Sequence, residues 1–499
     1  MVTRITGFSS GLDIDSIVKK LMTAEKAPLD KMNQQQQTLQ WKRENYRESS
    51  TKMVSFLQTK LDTLNRSSSI NAQTANTTGN TDALTAKASS TASGGVIDIT
   101  VNSLATASTA ISSGWSKTAS TTSLSSVFGL TSLPSSITIG NAEITIDSGE
   151  TIDSFVNKIN ANSSSGVTAI YDETSGLSLT NKATGAQQMN IKSNNDSSGS
   201  DIISAFKLSS NTGANASLTV NGLAITKTSN NFSLNGVEIS LKKAGGASTH
   251  IEVVKDTDAL VDNIQAFVDA YNDVLSTYNS KLGEERYAKY APLTTEQRAA
   301  MSDDEAKLWT EKAKSGMLKN DSILQETVSS MRNAMVQGVD VGKKSADGKV
   351  IPLNMSDLGI TTGTYETKGK LILDKDKLRE AIENNPDVIS KFFGTQDSTT
   401  RLTNNYTQQD GIIAKLKKIG NISLQRMAET AGTSKVSSDI TSTFISNSTI
   451  GDQLSSLDRR ISDMNDRLNR LETNYYKKFT AMETAINKYN SSSSSLSGM

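Results

Sequence analysis

The stretch LDRRISDMNDRLNRL, residues 457–471, decides how the chain is read. Leu457, Ile461, Met464, Leu468 and Leu471 recur every three or four positions, with Asp and Arg between them. That spacing puts the apolar side chains on one narrow stripe of a helix, the kind of seam that receives another helix. The stripe begins at Leu454 and reaches Tyr475. It resumes at Phe479, Met482, Ile486 and Tyr489 after an eleven-residue step from Leu468 to Phe479, a phasing that unwinds a left-handed supercoil. Asp463–Arg467 and Asp466–Arg470 are spaced for i,i+4 ion pairs.

A second seam lies near the other end. Met32, Leu39, Tyr46 and Met53 are seven apart, and Leu29, Leu57 and Leu64 occupy the companion position, diluted by Gln36, Arg43 and Ser50. Before it, Asp13 can cap a helix bearing Ile14, Ile17, Val18 and Leu21, and Pro28 suits the first turn of a fresh helix. The two seams have similar length, roughly 55–60 Å at the helical rise. They can pair within one chain. Ordering costs about 1–2 kcal/mol of backbone entropy per residue, so arms with diluted seams are expected to order chiefly on docking to other subunits.

Between the ends the period changes. Residues 66–95 are Ser/Thr/Asn/Gly-rich and read as linker. From Ile97 the period is two. ITIGNAEITI (137–146) reads as a hairpin, and Asn221-Gly222 and Asn235-Gly236 suit type I′ turns between strand-like runs. A short helix carries Ile152, Phe155, Val156 and Ile159. Helical period returns with Leu260, Ile264, Phe267, Tyr271, Val274 and Tyr278. A capping box at Ser302–Glu305 and a helix after Asp321 follow. LILD (371–374) reads as a strand before another helix, and Phe392 and Phe393 as core at a helix end.

The bulk numbers narrow the function. The 499 residues hold 52 basic and 52 acidic side chains, so no global field recruits nucleic acid or an anionic membrane. The apolar share, 35%, is low for compact domains and suggests much surface per residue. No run of 18 apolar residues spans a bilayer, and the start lacks the apolar core of a secretory signal. With no Cys and one His, thiolate metal sites, disulfides and Cys-His nucleophiles are excluded. His250, in STHIEVV, reads as a strand-surface imidazole. GVDVGKKS (338–345) has three residues between its glycines where a phosphate loop needs four, and DKDK (374–377) lacks the glycine of a calcium loop. WKRENYR (41–47) reads as a solvated helix face. Neither an enzyme nor a cofactor is expected.

Several segments together resemble the flagellar filament cap family, also called flagellar hook-associated protein 2. They are GFSSGLDIDSIVKKLMTAEKAPLDKM at the start, GGVIDITVNSLATAS (94–108), the repeat-like 144–185, 215–244, SGMLKNDSIL (315–324) and 355–394. The resemblance implies an α+β multidomain fold with coiled-coil termini, a helical leg and β-rich head domains inserted in the middle. The expected boundaries are an N-terminal arm 1–69, leg 70–105 and 250–410, head 106–249, and a C-terminal arm 411–499. It also implies a protein exported to the cell exterior without signal cleavage, forming a ring, often a pentamer, at the filament tip. There it would promote folding and insertion of flagellin. Implied partners are flagellin, the hook–filament junction protein and a type III export chaperone on the C-terminal arm. The docking residues are expected to be Leu454, Leu457, Ile461, Met464, Leu468, Leu471 and Tyr475, with Met32, Leu39, Tyr46 and Met53 opposite. Another axial flagellar protein or a surface adhesin are the rival readings.

Overall fold

In the computed structural model the described residues are 13–129, 133–194, 196, 199–363, 365–394 and 405–497. The opening motif before Asp13 and the last two residues lie outside them. The chain divides into a helical unit, residues 1–70 and 257–499, and a β-rich unit, residues 71–256.

The helical unit is built on α1 (Ile14–Val54), α2 (Thr257–Gly283), α3 (Asp303–Lys314), α4 (Ser322–Val336), α5 (Lys375–Asn384), α6 (Val388–Gly394), α7 (Ile412–Ala431) and α8 (Thr449–Ser497). Asp13 caps α1 by accepting the Ser16 amide at 3.0 Å. Pro28 was expected to open a new helix, but α1 runs straight through it. A mid-helix proline removes one backbone donor and costs about 3 kcal/mol; Met22 and Leu29 on either side of it pack into the apolar seam with α8. After Val54 the helix widens into a π turn, Ser55–Leu61, burying Phe56, Leu57 and Leu61.

The bundle core forms where α1, α2, α4 and α7 meet. Every residue of the expected α2 stripe, Leu260 to Tyr278, is buried, and Phe392 and Phe393 are core as expected. The Tyr278 hydroxyl donates to the Ser49 carbonyl at 3.0 Å. The π turn sits so close to α7 that a Cβ on Gly420 would come within 2.7 Å of Leu57, which explains a glycine in mid-helix. The Ser302–Glu305 capping box closes at the start of α3, and Asp321 caps α4. Asp374, in the DKDK run, caps α5.

A boundary expectation about this unit is corrected. Residues 412–431, assigned to the C-terminal arm, form a core helix with Leu416, Leu424 and Met427 buried. The Ser-rich end of the sequence continues α8 to Ser497.

The β unit contains two hydrophobic cores. One lies between a five-stranded sheet, ordered 73–79, 249–255, 95–103, 216–220, 223–227, and a three-stranded sheet, 231–234, 237–241, 84–88. The other fills the space among a four-stranded sheet, a three-stranded sheet that includes the expected 136–139/142–145 hairpin, and the helix Ile152–Ala161. Asn221-Gly222 and Asn235-Gly236 turn with positive φ at both residues, 47° and 84°, then 49° and 80°.

The stretch 66–95, read as linker, instead supplies strands Gln73–Gly79 and Leu84–Ala88, the first paired over seven residues with Thr249–Lys255. Residues 71–105 therefore belong with the β unit and not with the helices. Backbone ladders hold the first two strands, Gln73–Gly79 and Leu84–Ala88, whose mostly small polar side chains gave no periodic signal. His250 is on strand Thr249–Lys255, half-exposed and paired with Asp98 of the neighbouring strand.

Candidate docking interface on the terminal helices

α1 and α8 pack side by side in antiparallel order. The Tyr476 hydroxyl donates to Asp15 at 3.0 Å, Gln36 donates to Asp458, and Arg43 donates to the Ile445 carbonyl at 2.9 Å. Residue numbers on α1 rise as those on its partner fall. The apolar seam at this contact joins Ile14, Val18 and Met22 to Leu468, with Leu29, Met464, Leu471, Tyr475, Tyr476 and Phe479 packed around them. The C-terminal stripe faces as expected: Leu454, Leu457 and Leu468 are buried, while Ile461, Met464, Leu471 and Tyr475 are half-buried. The Asp463–Arg467 and Asp466–Arg470 pairs do not close among the described residues; all four side chains stay exposed.

The N-terminal candidates divide between neighbours. Met32 is buried, and Leu39 is half-buried beside Leu457 in a groove between the helices. Tyr46 and Met53 do not face α8. Tyr46 donates to the Asp321 carboxylate at the head of α4; burial first, and then this carboxylate, push its phenol pKa well up. Met53 sits against Gly420 of α7. The true partners of the α8 seam, Ile14, Val18 and Met22, follow a four-residue spacing visible in the sequence but lie upstream of the heptad stripe.

The face 41–47, expected to be solvated, is clamped. Trp41 is buried against Ala313 and Met317, with Lys314 over its ring at 5.4 Å. Arg43 and Arg47, one turn apart, both stack on Phe444, at 4.1 and 4.5 Å, and Arg43 also donates to the Ala431 carbonyl at 2.8 Å. They fasten the connection between α7 and α8 to α1.

The unit also buries ionic groups. Lys418 pairs with Asp410 at 2.7 Å, and Lys415 donates to the carbonyls of Gln337 and Gly338, each at 3.1 Å. The Lys415 contacts tie the start of α7 to the segment after α4, while the Lys418–Asp410 pair closes locally across the start of α7. Among the described residues no cluster of three potential metal ligands occurs, and no helix is long and apolar enough to cross a membrane.

Residues 213–491 match the family described as Flagellar hook-associated protein 2 C-terminus, and residues 10–108 match its N-terminus. The chain belongs to the flagellar hook-associated protein 2 family. It is similar to the flagellar hook-associated protein 2 of Halalkalibacterium halodurans, 29% identical across 99% of each chain. The Thermotoga maritima protein of the same name is 26% identical over 78% of this chain and 59% of its own length. Among solved structures, the D1-D2-D3 domains of the flagellar cap protein FliD from Escherichia coli superpose with a TM-score of 0.54 over 83% of this chain and 99% of that one. At 19% identity that likeness concerns the fold. It agrees with the α+β multidomain architecture expected from the sequence, helical at both ends and β-rich in the middle.

Proposed function

We propose that this member of the hook-associated protein 2 family caps the growing bacterial flagellar filament. It sits outside the cell at the filament tip as a homo-oligomeric plate, a pentamer on the family pattern. There it promotes folding and insertion of exported flagellin without covalent catalysis. The correspondence over 99% of both chains with a relative named flagellar hook-associated protein 2 carries this reading. The α1–α8 pair is the element that docks onto flagellin or the junction protein. The C-terminal part of α8 also receives a type III export chaperone before secretion.

The experiment is a deletion strain complemented in trans. Loss of the gene leaves short or absent filaments and flagellin monomers in the medium, and the wild-type chain restores full filaments. Leu468→Asp puts a carboxylate among Ile14, Val18 and Met22, where an unpaired charge costs several kcal/mol. The variant is exported and keeps its bundle and β unit, but fails to restore filaments. Full-length filaments from Leu468→Asp would remove the docking role of the helix pair; filaments unaffected by the deletion itself would remove the cap.

A further inference from the structure

We propose that a groove of about 670 Å³ between α1, α8 and the segment leading to α3 receives α3 of a neighbouring copy of the chain, making the contact that closes the plate. This deepens the cap reading above and rests on it. The groove has an apolar floor, including Leu39, Leu457 and Pro292, and its lining contains no acidic residue. Its bases are Lys31, Arg286 and Arg460. The Arg286 guanidinium is held toward the end of α3, its Nη1 donating to the carbonyls of Ala313 and Ser315, at 3.0 and 3.1 Å. Lys31 and Arg460 are exposed and make no ion pair among the described residues. The groove therefore asks for an apolar side chain flanked by carboxylates.

The outer face of α3 offers that pattern. Asp304, Leu308 and Glu311 are spaced four and three residues apart and share one helical face. All three are exposed, and Leu308 remains 60% exposed, a costly position for a leucine with nothing over it. Neither carboxylate forms an ion pair among the described residues.

The helix cannot turn this face into its own groove. Ala306 and Ala313 are buried on the opposite side, and the Trp309 indole donates to the Ala291 carbonyl at 2.8 Å. Groove and stripe are thus two different patches of one folded unit. A contact between unlike patches is heterologous, and repeated from copy to copy it closes a ring when the rotation allows.

Charge exchange tests it on the full chain by sedimentation velocity over a concentration series. One variant reverses the groove (Lys31→Glu with Arg460→Glu). A second reverses the stripe (Asp304→Lys with Glu311→Lys). A third carries all four changes, and every position is exposed. Each half-reversed variant is expected to self-associate about tenfold more weakly than wild type, and the four-fold variant to recover to within about threefold. Leu308→Ser weakens association without altering charge. Wild-type oligomers matched by both half-reversed variants, or a four-fold variant that stays weak, overturn this contact alone. A wild-type chain that remains monomeric throughout overturns the ring reading along with it.

Discussion

Lys415 is a cation held inside the bundle by two carbonyl oxygens. Burial pushes its pKa down from 10.5 to about 8, against the opposing pull of Asp410. In the unfolded chain the amine keeps its proton up to its ordinary pKa; in the fold it releases it earlier. Between these two values the unfolded state binds more protons, so stability rises with pH there. Relative to Lys415→Met, the wild-type chain should therefore gain about 2 kcal/mol between about pH 7 and about pH 10. Urea midpoints of both proteins at the two pH values measure this. A difference that stays flat or shrinks would mean that Lys415 titrates normally. No sequence pattern announced this residue, because a lysine on an amphipathic helix reads as surface until the elements packed over it are known. Gly236 was the opposite case. Asn-Gly between strand-like runs demanded positive φ, and the turn has it at 80°.

At the scale of elements, the heptad stripe located α8 and its apolar face correctly, because helix geometry repeats whatever covers it. It failed to say what covers the stripe on α1. Positions seven apart drift about 20° per heptad around a straight helix, so Met32, Leu39, Tyr46 and Met53 rotate by roughly 60° in all. Leu39 lies beside Leu457 of α8, and the last two face α4 and α7. Arg43 and Arg47 read as solvated for a related reason. Their partner is Phe444, about 400 positions away, in a connection with no periodicity of its own. Phe444→Ala should release that connection, at a cost of about 1–2 kcal/mol for two cation–π contacts. Amide exchange across residues 432–448 should accelerate while α2 and α4 keep their protection. Unchanged exchange in that segment would show that the two arginines do not hold it.

At the scale of the whole molecule, the sequence announced a β insertion within a helical chain. It misplaced the entry point because the first two strands, Gln73–Gly79 and Leu84–Ala88, carry no strong alternation. The β unit begins and ends on adjacent strands, with Gln73 opposite Lys255. Residues 71–256 expressed alone should fold cooperatively, with a far-ultraviolet spectrum dominated by strand. The remainder, joined from residue 70 to residue 257 by a short flexible linker, should keep its helical spectrum. Loss of structure in either piece would mean that the two cores depend on each other. The same adjacency sets how the insertion responds to force. Tension applied through residues 70 and 257 separates the first and last strands from their shared end. Their rungs break one at a time, as in a zipper, and the load is never shared along the length of the ladder. A subunit drawn lengthwise through a narrow conduit would then open its largest β insertion at low pulling force, although that insertion is well packed at rest.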